Sequence, residues 1–103
     1  MNAQIELPRP SIEAFCRKWK ISRLEIFGSV LRDDFKPSSD VDFLLSFDLD
    51  AHWTLFDMVD MEQEMETLLG RKVDLVSRLG IENSRNWIRK KDILDSAEVY
   101  YAA

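Results

Sequence analysis

Cysteine is nearly absent from this 103-residue chain, with Cys16 its one copy. A disulfide within the chain is therefore excluded, and a zinc site built on thiolates would lack a second sulfur. Glycine and proline are scarce too, three of each, and no repeat or low-complexity tract interrupts the sequence. No stretch approaches the ~20 apolar residues a bilayer-spanning helix needs, and the polar start from Met1 to Glu6 lacks a signal-peptide core. Basic residues are outnumbered, 14 Lys and Arg against 19 Asp and Glu, for a net charge of −5. That balance argues against generic nucleic-acid binding, which requires a basic face to neutralise phosphates. The expectation is a cytoplasmic protein with no membrane contact.

What is present suits a folded protein. The composition is 46% hydrophobic and 32% charged, and the length is that of one domain, 1–103, able to bury a core without disulfide or metal. Behind Pro8 and Pro10, Ser11 is a candidate N-cap for a helix whose apolar stripe is Ile12, Phe15, Cys16 and Trp19. Leu24 to Phe27 reads as a strand ended by Gly28, followed by a short helical turn from Val30 to about Phe35, which Pro37 closes. Asp40 to Phe47 is the clearest strand, with Val41, Phe43 and Leu45 on one face and Asp40, Asp42 and Leu44 on the other. Asp48 or Asp50 is the expected cap of a long helix, about Trp53 to Leu69. Its stripe runs through Leu55, Met58, Met61 (or Glu62), Met65 and Leu68 to a C-terminal Gly70. Val73 to Ser77 is a third strand, Ser84 a cap for a last helix carrying Trp87, Ile88 and Leu94, and Val99 to Tyr101 an edge strand. The order α-β-α-β-α-β-α predicts an α/β (α+β) fold, a small mixed sheet flanked by helices.

Four features converge on chemistry. Gly28-Ser29 stands at a strand-to-helix junction, where glycine permits close backbone approach and the following amides offer a seat for phosphate. Ten residues on, Asp40 and Asp42 stand two apart on a strand, so both carboxylates project from one face with Cα atoms roughly 6.6 Å apart. Two carboxylates so close would repel unless a cation lay between them, and a hard divalent ion such as Mg²⁺ is the economical choice. Asp74 interrupts the apolar Val73-Asp74-Leu75-Val76 run and joins the cluster if that strand neighbours the first. Each feature alone has a plainer reading: Asp40 as a turn residue, Asp74 as an edge partner of Arg71, Lys72 or Arg78, and Gly28-Ser29 as an ordinary junction. His52 has no metal-ligand spacing, the methionine stripe reads as core, Trp19, Trp53 and Trp87 are core candidates, and Arg85, Arg89, Lys90 and Lys91 read as a solvated face.

Phe27-Gly28-Ser29-Val30-Leu31-Arg32, Ser39-Asp40-Val41-Asp42-Phe43-Leu44-Leu45 and Leu69-Gly70-Arg71-Lys72-Val73-Asp74-Leu75-Val76 together resemble the DNA polymerase β-like nucleotidyltransferase superfamily. Within it the chain is similar to the minimal nucleotidyltransferases, the MntA-type antitoxins of HEPN/MNT toxin–antitoxin pairs. The likeness is strong from Leu24 to Ser77, with Asp33 departing from a glycine common in that position. The resemblance implies a polymerase β-like core and Mg²⁺-dependent transfer of AMP from ATP. Asp40, Asp42 and Asp74 would be the catalytic metal ligands; Gly28, Ser29 and Arg32 would bind nucleotide phosphate. The implied partner is a HEPN toxin whose tyrosine hydroxyl is the acceptor, in a homo-oligomer or a complex with the toxin. Two other readings stand beside it: an antitoxin that neutralises by binding while its site is idle, and nucleotidyl transfer to a small molecule or RNA.

Overall fold

The computed structural model describes residues 8–28 and 40–103. Among the described residues, four strands and four helices follow in the order α1 (Arg9–Lys18), β1 (Ile21–Phe27), β2 (Val41–Phe47), α2 (Leu55–Leu69), β3 (Val73–Ser77), α3 (Arg78–Glu82), α4 (Trp87–Ser96) and β4 (Glu98–Ala102). The sheet order is β3-β2-β1-β4. β1 runs antiparallel to β2 and to β4, whereas β2 and β3 are parallel, so the sheet is mixed as the sequence predicts. The expected turn from Val30 to Phe35 lies outside the described residues.

Strand alternation sorts the side chains between two helical layers. Val41, Phe43 and Leu45 join Leu24, Ile26 and Val73 in a core closed by Ile12, Phe15 and Cys16 of α1 and Met61 and Met65 of α2. The opposite face places Phe27 and Leu44 against Ile81 of α3 and Ile93 of α4. Burial pushes the Cys16 thiol from its ordinary 9.0 to about 12, so this cysteine stays protonated and is packing material rather than a nucleophile. Trp19 and Trp53 meet edge to face at 5.1 Å between ring centroids, and their indole N–H groups donate to Glu64 Oε2 at 2.6 Å and to the Trp19 carbonyl at 2.8 Å. These bonds tie α1 to the start and middle of α2 without leaving a buried indole unsatisfied.

Local chemistry explains where the boundaries depart from expectation. α1 begins at Arg9 with Pro8 as its cap, two residues before Ser11, because proline already holds a helical φ and loses nothing in a first turn. α2 is capped by Thr54, not by Asp48 or Asp50. The Asp57 amide donates to Thr54 Oγ1 at 3.3 Å and the Thr54 amide to Asp57 Oδ2 at 2.8 Å, a reciprocal box that a lone aspartate cannot form. Asp50 instead accepts from Lys20 at 3.1 Å. Gly70 ends α2 in the left-handed conformation at φ 69°, as its position predicts. Asn86 rather than Ser84 caps α4, and Ser84 accepts from the Asn86 amide one step earlier. Three apolar residues assigned to core faces are exposed: Leu55 at 80%, Trp87 at 69% and Ile88 at 65%. α2 and α4 bury only Met61 and Met65, and Ile93, leaving their N-terminal turns outside the core.

Candidate active site

β1 ends and β2 and β3 begin at the same end of the sheet. The register sets Phe27 against Asp42 and Asp42 against Asp74, a row crossing three strands. Neighbouring strands lie about 4.8 Å apart, and side chains paired across them share a face. Asp42 and Asp74 therefore stand side by side on the face that also carries Leu44 and Val76. Asp40 lies immediately before β2 and is exposed, as is Asp74, while Asp42 is half-buried. The Val41 amide donates to the Lys72 carbonyl at 3.1 Å, which locks the two strand starts together beneath these carboxylates.

Gly28 completes the row. Its φ of +81° is in the left-handed region, and a Cβ added there would collide with the Asp42 carboxylate, with Asp42 Cγ at 3.2 Å and Asp42 Cβ at 3.5 Å. Glycine is thus required twice, for the backbone conformation and for the room that Asp42 occupies. Gly28→Ala is expected to cost about 1–3 kcal/mol from strain and collision and to displace Asp42. Denaturant melts measure it, and a wild-type value would contradict this role. Ser29 and Arg32, predicted to grip phosphate beside Gly28, lie outside the described residues.

The donor set is all oxygen, sits on or immediately before fixed strands and remains open to water. That chemistry fits a hard divalent ion, which takes carboxylates and keeps several waters. Among the described residues, no three His, Cys, Asp or Glu side chains already stand close enough to share one ion. The register brings the strands together, and ligation would have to draw the exposed carboxylates inward.

Sequence reasoning left one carboxylate without a role. Glu62, an alternative to Met61 in the expected apolar stripe, does not join the core; Met61 does. Burial first, then repulsion from Glu66, Asp74 and Asp40, raises the Glu62 pKa above the ordinary carboxylate value. Glu62 therefore lies within electrostatic reach of Asp40 and Asp74. The signal was present in the spacing, since Glu62 and Glu66 are one helical turn apart. A carboxyl whose folded pKa is raised costs stability once ionised, and the cost is absent below its unfolded pKa. Glu62→Gln should therefore raise Tm at pH 7 and give no gain below about pH 4. Thermal melts at the two pH values check the sign, and a lower Tm at pH 7 would contradict it.

The other candidates fall where plainer readings put them. His52, Arg85 and Arg89 are exposed, Lys90 donates to the Glu82 carbonyl at 2.7 Å and Lys91 pairs with Asp95 at 3.4 Å. Arg78 pairs with Glu25 and Glu82 rather than with Asp74. Cavities of about 570 Å³ against α4 and about 380 Å³ at the far ends of β2 and β3 contain none of the three aspartates. No helix among the described residues is long and apolar enough to cross a membrane.

Known proteins resemble this chain in sequence and in fold. The family model described as a nucleotidyltransferase domain matches residues 10–100. A candidate protein adenylyltransferase of Methanocaldococcus jannaschii, MJ1217, is 33% identical over 78 residues, covering 76% of this chain and 78% of its own. Protein adenylyltransferase MntA of Thermococcus cleftensis is 32% identical over 66 residues, covering 64% of this chain and 65% of its own. Among solved structures, a candidate minimal nucleotidyltransferase superposes with a TM-score of 0.66 at 30% identity, over 87% of this chain and 86% of that one. Two more distant structures share the fold. A toxin–antitoxin with AMP-PNP has a TM-score of 0.71 at 16% identity, covering 94% of this chain and 75% of that one. A tri-AMPylated Shewanella oneidensis HEPN toxin with its MNT antitoxin has a TM-score of 0.62 at 16% identity, covering 91% and 69%. With a sheet that gathers Gly28, Asp42 and Asp74 into one row and a family model spanning nearly all of its length, the chain belongs to the nucleotidyltransferases, in their minimal branch.

Proposed function

We propose that this chain is an antitoxin that transfers AMP from ATP to a hydroxyl, a tyrosine hydroxyl by preference, of a HEPN-domain toxin. The observation that carries this reading is the Gly28–Asp42–Asp74 row at one end of the sheet. Relatives named as protein adenylyltransferases, and a neighbour in which a HEPN toxin carries AMP, support the donor and the partner. AMP-PNP in another neighbour supports ATP as the nucleotide.

In this reaction the acceptor oxygen forms a bond to the α-phosphorus, the bond from that phosphorus to the bridging oxygen breaks, and pyrophosphate leaves. The acceptor proton passes to water or a nearby base. Asp40, Asp42 and Asp74 would hold Mg²⁺, which supplies charge neutralisation at the triphosphate and lowers the pKa of a bound hydroxyl. Asp42, fixed between β1 and β3, sets the position of that carboxylate set. The Gly28 backbone leaves room for Asp42, and Ser29 and Arg32 would grip the phosphates. Such transfer requires positioning and charge neutralisation above all, which a small domain can supply.

The rival reading is neutralisation by binding alone; Met61 and Met65 are fully buried and offer a partner no methionine surface. Co-expression with the HEPN partner separates the two readings. The Asp40→Asn/Asp42→Asn variant is expected to co-purify with the toxin yet fail to protect cells. Full protection by that variant would overturn the enzymatic reading.

A further inference from the structure

Charge is unevenly spread along the chain. Residues 37–70 contain nine of the nineteen carboxylates and none of the fourteen Lys and Arg. Five of those nine lie on α2: Asp57, Asp60, Glu62, Glu64 and Glu66. Asp57 is engaged in the Thr54 cap, Glu64 by Lys18 and Trp19, and Glu66 accepts from the Val73 amide at 3.2 Å. Asp60 and Glu62 have no cationic partner among the described residues.

The same helix exposes a group of large apolar side chains. Leu55 is 80% exposed, Phe56 84% and Val59 48%. At 100° per residue, Phe56 and Val59 lie on the face opposite Met61 and Met65, with Leu55 beside them, Asp60 on one flank and Glu62 on the other. The Thr54–Asp57 box fixes the first turn, so these side chains stand on an ordered helix rather than a frayed end. Three adjacent apolar side chains held outward on such a turn mark a contact surface.

We propose that the outward face of α2, formed by Leu55, Phe56 and Val59 and flanked by Asp60 and Glu62, seats a basic amphipathic helix of the protein partner. The proposal rests on the HEPN-partner reading above and deepens it. Charge selects the occupant. A second copy of this chain would bring Asp60 and Glu62 against their own counterparts with no Lys or Arg on the helix to relieve them, which is costly at an interface. A helix with apolar residues at i, i+3 and i+4 and flanking Lys or Arg satisfies both parts of the surface. The other exposed apolar pair, Trp87 and Ile88 on α4, sits among charges of both signs, Lys91 being paired with Asp95 at 3.4 Å, and selects nothing.

Calorimetric titration of the full chain with its HEPN-domain partner, at two salt concentrations, tests this. The Leu55→Ser/Phe56→Ser/Val59→Ser variant is expected to bind about 100-fold more weakly while its ATP-induced thermal shift and circular dichroism match wild type. Asp60→Lys, which leaves the apolar residues in place, should weaken binding about tenfold and flatten its salt dependence. Trp87→Ser/Ile88→Ser should bind as wild type. Wild-type affinity in both α2 variants, loss of affinity in the α4 variant instead, or a dimer of the chain that the α2 triple variant dissolves would each overturn the proposal. A wild-type pair that forms but never acquires AMP would sink the transferase reading and leave the docking surface standing. A wild-type chain that binds no HEPN partner would sink the partner reading and this surface with it.

Discussion

Asp42→Asn is expected to lower AMP transfer by at least about 10³-fold while leaving the fold and Tm unimpaired. The magnitude follows from what the charge does. Nucleotidyl transfer gathers negative charge on a leaving pyrophosphate, and losing one ligand of the ion that offsets it removes several kcal/mol of stabilisation. The neutral fold follows from the register. Asp42 faces Asp74 across parallel strands, and asparagine keeps the shape of the side chain and an oxygen that accepts hydrogen bonds. Single-turnover assays with saturating ATP and MgCl₂, beside thermal melts, measure both. A rate within twofold of wild type would remove Asp42 from the site, and a lost fold would make it a structural residue.

Arg78→Met is expected to destabilise the protein by about 3 kcal/mol, a fall in Tm on the order of 15 °C for a chain of this size. Glu25 is the one charged side chain buried within the sheet among the described residues, 3% exposed, and Arg78 holds its Oε1 at 2.5 Å. Arg23 stands farther off at 3.4 Å and is more exposed, so it recovers part of the loss and no more. Removing Arg78 strands a carboxylate inside β1 with Leu44 opposite it. Replacing both partners, Glu25→Gln with Arg78→Met, should regain much of the lost stability, because the buried charge goes with its counterion. Denaturant melts of the two singles and the double close the cycle. A single Arg78→Met within about 0.5 kcal/mol of wild type would contradict it.

The parts of this architecture that were legible in the sequence are those set by one-dimensional periodicity. Period-two alternation put Val41, Phe43 and Leu45 on one face, which the fold buries, and Gly70 marked the end of α2. The Gly28, Asp40, Asp42 and Asp74 pattern was visible because carboxylates are conspicuous on apolar strands. The pairing of Asp42 with Asp74 was a condition that only the parallel β2–β3 register could meet. What stayed hidden depends on geometry between segments. α3 is five residues long and begins directly at the end of β3, too short for a periodic signal. Glu25 has no visible partner in the sequence, because only the fold brings Arg78, 53 residues on, over it. Leu55, Trp87 and Ile88 satisfied a helical stripe, yet the helices present their first turns beyond the edge of the core. Glu62 read as a substitute core position because one residue of rotation separates it from Met61.

The central claim, that this chain moves the nucleotidyl group of ATP onto its partner, is tested most directly by isotope position. The chain and its HEPN-domain partner are incubated with Mg²⁺ and ATP labelled at either the α- or the γ-phosphorus. The account predicts α-label fixed covalently on the partner, γ-label released as pyrophosphate, and no label fixed with the Asp40→Asn/Asp42→Asn variant. Label fixed from the γ-position, or a stable complex that fixes none, would contradict it.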